Sequence, residues 1–149
     1  MRKKRVLFLC TGNSCRSQMA EGLVNHLESG QWEAHSAGVR PAGYVHAMAV
    51  QVMAELDIDI SRQRSKAVDE FRDVSFDLVF TVCDDAAESC PLWLGSGKTV
   101  HMGFPDPAQA AGSDAERLLV FRQVRDAIRQ QVLAYLAKES ENADARHAD

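Results

Sequence analysis

Long apolar runs are missing from this chain. The first one, Val6–Cys10, spans five residues and is closed by Thr11-Gly12-Asn13. A signal peptide needs roughly 7–15 apolar residues and a membrane-spanning helix about 20. The leader Met1-Arg2-Lys3-Lys4-Arg5 therefore reads as a solubilising edge before a buried strand, and the chain is expected in the cytoplasm, away from membranes. A basic excess is missing too: 17 Lys+Arg against 21 Asp+Glu give a net charge of −4. That argues against a nucleic-acid binder. The histidines (His26, His35, His46, His101, His147) are scattered and make no ligand cluster, and there is no internal repeat. Cysteines are few: Cys10, Cys15, Cys83 and Cys90. Without an export signal, catalysis, redox work or metal binding explains them better than structural disulfides.

What is present is ordinary for one globular domain, with 149 residues, 46% of them hydrophobic and 26% charged. A chain of this size buries a core without staples. Strand-like runs alternate with helical patterns. Arg5–Leu9, Trp32–Ala37, Phe76–Val82 and Thr99–Phe104 read as strands, and Ser14–Leu27, Val45–Leu56 and Ser113–Ala137 as helices. The last opens with Ser113-x-x-Glu116, a capping-box pattern. Such alternation implies an α/β fold, a single three-layer domain with about four parallel strands and helices on both faces. The domain is expected over residues 1–137, with 138–149 a polar, frayed tail. Ligands on such sheets sit beyond the C-terminal strand ends, which directs attention to Cys10.

A bare Cys-x5-Arg is a weak signal; its context is not. Cys10 ends a buried strand, Arg16 falls in the first turn of a helix, and Gly12 and Asn13 between them tolerate left-handed backbone angles. A tight loop entering a helix N-terminus turns backbone N–H groups inward and makes a nest for a tetrahedral oxyanion. Thr11, Gly12, Asn13, Ser14, Cys15, Arg16 and Ser17 are the expected oxyanion-binding residues, Arg16 adding a planar fork. The same positive field favours the thiolate of Cys10, and Ser17 is placed to hydrogen-bond it. Cys15 reads as packing.

The other two cysteines stand in Cys83-Asp84-Asp85-Ala86-Ala87-Glu88-Ser89-Cys90-Pro91, after the third strand. If that strand neighbours the first, Cys83 opens near Cys10. In a helix, Cys83 and Cys90 would lie roughly 10 Å apart, beyond the ~7 Å a disulfide allows, so joining them requires the segment to unwind. The plain alternatives are two small core cysteines, or a four-cysteine zinc site with poor spacing.

The string Cys10-Thr11-Gly12-Asn13-Ser14-Cys15-Arg16-Ser17-Gln18-Met19-Ala20-Glu21-Gly22 resembles the thioredoxin-coupled arsenate reductases, which are built on the low-molecular-weight protein tyrosine phosphatase fold. The resemblance covers about residues 4–137. It implies that Cys10, Cys83 and Cys90 form a thiol/disulfide relay that reduces arsenate to arsenite for arsenic detoxification, with thioredoxin as electron donor and no bound cofactor. Phosphate or sulfate would compete for the loop, and the chain is expected to be monomeric. It also implies that Asp106, bracketed by Pro105 and Pro107, is the general acid. Phosphatases of this fold continue that element with tyrosines; here it continues Ala108-Gln109-Ala110, which favours a small inorganic oxyanion. The rival readings are a low-molecular-weight phosphatase and a non-catalytic thiol redox sensor. Some members of the resembled family bind potassium near the loop through residues matching Asn13, Glu21 and Ser36 and a Thr-Ser-Asp segment. Here that segment reads Arg64-Ser65-Lys66, so no metal is expected, and the Lys66 ammonium is expected to replace the ion.

Overall fold

A computed structural model describes residues 2–84 and 92–147, with side chains through residue 142. Four strands, β1 (Lys4–Cys10), β2 (Trp32–Gly38), β3 (Leu78–Thr81) and β4 (Lys98–His101), form one sheet in the order β2-β1-β3-β4. All three pairings are parallel. The helices are α1 (Arg16–Leu27), α2 (Ala47–Ala54) and α3 (Asp114–His147).

Val6, Leu7, Phe8 and Leu9 are all fully buried, because β1 is central and covered on both faces. The period of two divides them. Val6, Phe8 and Cys10 join Leu78 and Phe80 in the larger core, where Met19 and Leu23 of α1, Val52 and Met53 of α2, and Phe121 and Ile128 of α3 pack. Leu7 and Leu9 face the other way, with Ala37 and Val79, onto Phe71, Phe76 and Trp93. The three α-helices thus share one face. The other is covered, among the described residues, by a short 3-10 turn at Val68–Phe71 and the chain around Trp93. The fold is the expected α/β parallel sheet, and among the described residues its second covering layer is thin. β4 is an edge strand, mostly exposed.

The α3 start is as its sequence implies: Glu116 N–H donates to Ser113 Oγ at 3.2 Å and Ser113 N–H to Glu116 Oε1 at 3.2 Å. Its end is not, since the helix continues through His147 rather than fraying after Ala137. Lys98 Nζ bonds Glu139 at 2.9 Å and Ser140 bonds Gln31 at 3.0 Å, tying that stretch to the sheet edge and to the turn before β2. No helix among the described residues is long and apolar enough to cross a membrane.

Candidate active site

β1 delivers Cys10 to the C-terminal edge of the sheet, and the chain turns through residues 11–15 before α1 begins at Arg16. The turn is pinned from outside. Arg40 N–H donates to Thr11 O at 3.0 Å, Ala42 N–H to Gly12 O at 2.9 Å and His46 N–H to Ser14 O at 2.9 Å. Ser65 Oγ also donates to Gly12 O, at 3.2 Å. In a trans peptide a carbonyl turned outward turns the following N–H inward. The amides of Gly12, Asn13 and Cys15 therefore face the interior, and Asn13 N–H indeed donates to Cys10 Sγ at 3.3 Å. Inward-turned amides of this kind form an anion-binding concavity.

Asn13 takes the left-handed angle, with φ of 49°. Gly12 does not, and a Cβ there would meet no more than Ser14 Oγ at 3.8 Å. The glycine that matters sterically is Gly38 at the end of β2, where a Cβ would lie 2.5 Å from Thr11 O and 3.1 Å from Asn13 N. Any larger residue there pushes the loop off the sheet.

A chain of amides orients the sulfur's partners. Asn13 Oδ1 accepts from Lys66 N–H at 2.8 Å and from Gln18 Nε2 at 2.9 Å, which leaves Asn13 Nδ2 to donate to Ser17 Oγ at 2.8 Å. Gln63 Nε2 in turn donates to Gln18 Oε1 at 2.8 Å. Ser17 Oγ lies 2.9 Å from Cys10 Sγ, and when the sulfur is ionised the Ser17 hydroxyl is the group that donates to it. Both contacts to Cys10 are of the kind a thiolate accepts. Sequence reasoning alone does not reach Gln18, Gln63 or Gly38 as parts of the site. Gln18 has no signal beyond its place beside Ser17, and the other two come from distant segments.

Cys15 is treated differently. Burial, opposed only in part by the hydroxyl of Ser14, pushes its thiol up to about 12. That direction favours the protonated thiol, which is buried in the larger core.

Arg16 is almost fully buried. One guanidinium nitrogen donates to Phe104 O at 3.2 Å, and another lies 3.7 Å from Asp106 Oδ2. Asp106 Oδ1 accepts from Ala108 N–H at 3.0 Å, capping a 3-10 turn at Pro107–Gln109 and holding the carboxyl at the cavity edge. Residues 10–16, Asp84, Pro105, Asp106 and Gln109 line one cavity of about 620 Å³, which brings Cys10, Arg16 and Asp106 together.

Cys83 is fully buried at the end of β3. Leu9 pairs with Thr81, and Val82 N–H donates to Leu9 O at 2.9 Å. Cys83 thus stands one residue past the level of Cys10 on the adjacent strand, with strands about 4.8 Å apart. Cys90 lies outside the described residues.

Behind the loop, Lys66 Nζ lies 3.4 Å from Glu21 Oε1, both side chains about 10% exposed. The ammonium also donates to Arg64 O at 2.8 Å, and Ser36 Oγ donates to the same Glu21 oxygen at 2.9 Å. The ammonium thus sits against Glu21 and Arg64 O, and Ser36 shares its carboxylate oxygen.

Comparison with known proteins agrees with this geometry. Residues 5–145 match the family model described as low molecular weight phosphotyrosine protein phosphatase. An arsenate reductase of Halalkalibacterium halodurans is 46% identical over 135 residues, covering 91% of this chain and 96% of that protein. The solved structure of an arsenate reductase in the phosphate binding state superposes with a TM-score of 0.73 at 34% identity, covering 91% of this chain and 98% of the other. A low molecular weight protein tyrosine phosphatase from T. tengcongensis gives 0.72 at 29% identity, covering 91% and 99%. The chain belongs to the low molecular weight phosphotyrosine protein phosphatase family, and within it to the group of the arsenate reductases.

Proposed function

We propose that the protein reduces arsenate to arsenite through a three-cysteine relay recharged by thioredoxin. The observation that carries the reading is the register placing Cys83 one residue beyond Cys10 on the neighbouring strand. Ester hydrolysis needs one thiolate and water. Reducing As(V) to As(III) needs two electrons, which a pair of thiols supplies by becoming a disulfide.

Arsenate enters the nest and is held by inward amides and Arg16. Cys10 thiolate attacks arsenic and displaces an oxygen, which Asp106 protonates so that water leaves. Cys83 thiolate then attacks the sulfur of the Cys10–arsenic adduct. The S–As bond breaks, its electron pair stays on arsenic, and arsenite departs, leaving a Cys10–Cys83 disulfide. Cys90 attacks Cys83, freeing Cys10 and giving a Cys83–Cys90 disulfide. Thioredoxin reduces that bond. The chain's own residues need no cofactor for these steps.

The test is arsenate-dependent NADPH oxidation with thioredoxin and its reductase, run beside hydrolysis of para-nitrophenyl phosphate. Turnover with arsenate, abolished in Cys10→Ser and limited to one cycle in Cys90→Ser, is the expected result. Sustained turnover by Cys90→Ser under thioredoxin would refute the relay. Phosphatase activity without arsenate-dependent thiol loss would make the protein an ester hydrolase.

A further inference from the structure

Trp93 is buried against the smaller core. Its ring meets Phe76 edge-on with centroids 5.8 Å apart, and its indole N–H donates to Ser96 O at 2.9 Å. Its neighbours point the other way: Leu92 is 82% exposed and Leu94 86%. No other large apolar side chain among the described residues exceeds the 60% of Tyr44. One exposed leucine is ordinary; two flanking a buried anchor form a patch. Beside them runs a groove of about 410 Å³ that Val68 and Arg72 also line.

Position in the chain identifies what covers the patch. Leu92 follows Cys90 by two residues, so its Cα lies within roughly 7 Å of that of Cys90 in any conformation of the segment. A protein that reduces a disulfide involving Cys90 must bring its own sulfur into bonding contact there. Even a small redox interface covers several hundred Å² on each side. Leu92 falls within that footprint.

We propose that Leu92 and Leu94, with Val68 and Arg72, are the docking surface for a thioredoxin-type dithiol protein. The proposal rests on the relay reading above. Trp93 holds the two leucines outward, where they meet the apolar rim around the partner's dithiol. The partner's thiolate displaces one sulfur of the Cys83–Cys90 disulfide, forming a mixed disulfide and freeing one thiolate. The partner's second thiol then attacks its own bonded sulfur and frees the other. Two electrons pass to this chain, and the partner's pair becomes a disulfide.

The test is the Leu92→Ser/Leu94→Ser double variant, assayed with thioredoxin, its reductase, NADPH and arsenate. The KM for thioredoxin should rise about tenfold or more, the scale of burying one leucine. Thiol loss with arsenate alone, and turnover driven by dithiothreitol, should match the wild type. An unchanged KM for thioredoxin overturns the docking surface and leaves the relay standing. An equal fall in dithiothreitol-driven turnover overturns it as well, since the leucines would then serve the chain's own chemistry. If sedimentation shows a wild-type dimer that the double variant dissociates, the patch joins copies of this chain and the proposal fails. Wild-type protein that loses no thiols with arsenate removes the relay itself, a different failure from the others.

Discussion

The turn after β1 and the chain around Trp93 are held by opposite means. The turn has carbonyls of Thr11, Gly12 and Ser14 tied to the 40–46 segment, and both ends of the Asn13 amide are engaged. Among the described residues, the chain around Trp93 is held by the buried indole and by Ser96 Oγ, which accepts from Phe76 N–H at 3.3 Å, with largely exposed leucines on either side of the ring. Amides that stabilise developing charge must be fixed before the substrate arrives, because reorganising them during reaction would cost what they contribute. A surface that meets another protein needs only to be presented. The turn we propose for the oxyanion is fixed from several segments, and the chain where we place the partner, among the described residues, by fewer bonds.

The sharpest way to break this comparison is at Arg16. If the turn works by fixed geometry, Arg16→Lys keeps the charge and loses the fork, and kcat/KM for arsenate should fall about 10²–10³-fold. A drop below tenfold would mean that charge alone suffices. The next largest effect belongs to the other region. Trp93→Ala removes the indole from the smaller core, where it meets Phe76, and should cost about 3 kcal/mol of unfolding free energy, read by denaturant titration. The same variant should retain thiol loss with arsenate. If it does not, the anchor also shapes the nest, and the two regions are not separable.

These two regions were unequally legible in sequence. Val6–Leu9 gives the central strand, and Ser113-x-x-Glu116 gives the start of α3, because both signals are local. The nest was legible for the same reason, being eight consecutive residues from Cys10 to Ser17. Its outer supports were not. Gly38, Gln63 and the amides of Arg40, Ala42 and His46 come from other segments, and backbone donors leave no mark on residue type. Residues 138–147 misled in the other direction. Their polar composition suits a solvated helix face as well as a loose tail, and the contacts to Lys98 and Gln31 decide between them.

Asn13→Asp tests the amide chain. Replacing Nδ2 by oxygen gives Ser17 a carboxylate to donate to, which draws its proton away from Cys10. Alkylation of Cys10 by iodoacetamide near pH 7 should slow about tenfold, the loss of one charge-assisted bond. An unchanged rate would show that Asn13 N–H alone sustains the sulfur.

A smaller effect is expected where the 40–46 segment enters α2. His46 Nδ1 accepts from Met48 N–H at 3.1 Å. Burial first, and then Arg117, hold its pKa below the ordinary 6.5, while Asp106 pulls the other way. Below 6.5 the unfolded chain therefore binds more protons than the folded one, and stability declines as pH falls toward the folded value. Protonation also puts a hydrogen on Nδ1 and removes the cap. His46→Asn keeps a capping side chain and should flatten Tm between about pH 5 and 7. A slope equal to the wild type would place the titration elsewhere.

The smallest effect expected is none at all, and it sharpens the claim of fixed geometry most directly. We propose that the Lys66 ammonium takes, behind the nest, the place that the family resemblance assigns to a potassium ion. It stands 3.4 Å from Glu21, whose same oxygen accepts from Ser36, while the Lys66 backbone N–H orients Asn13. A cation carried on the chain is always present, so activity at constant ionic strength should be equal in potassium and sodium. Stimulation by potassium alone would mean that a second cation site exists and that the ammonium is only a neighbour to it. Lys66→Asp, which exchanges the internal cation for a carboxylate ligand, should acquire a potassium dependence. If the variant is active and indifferent to both ions, the positive charge behind Asn13 is dispensable, and the amides alone hold the turn.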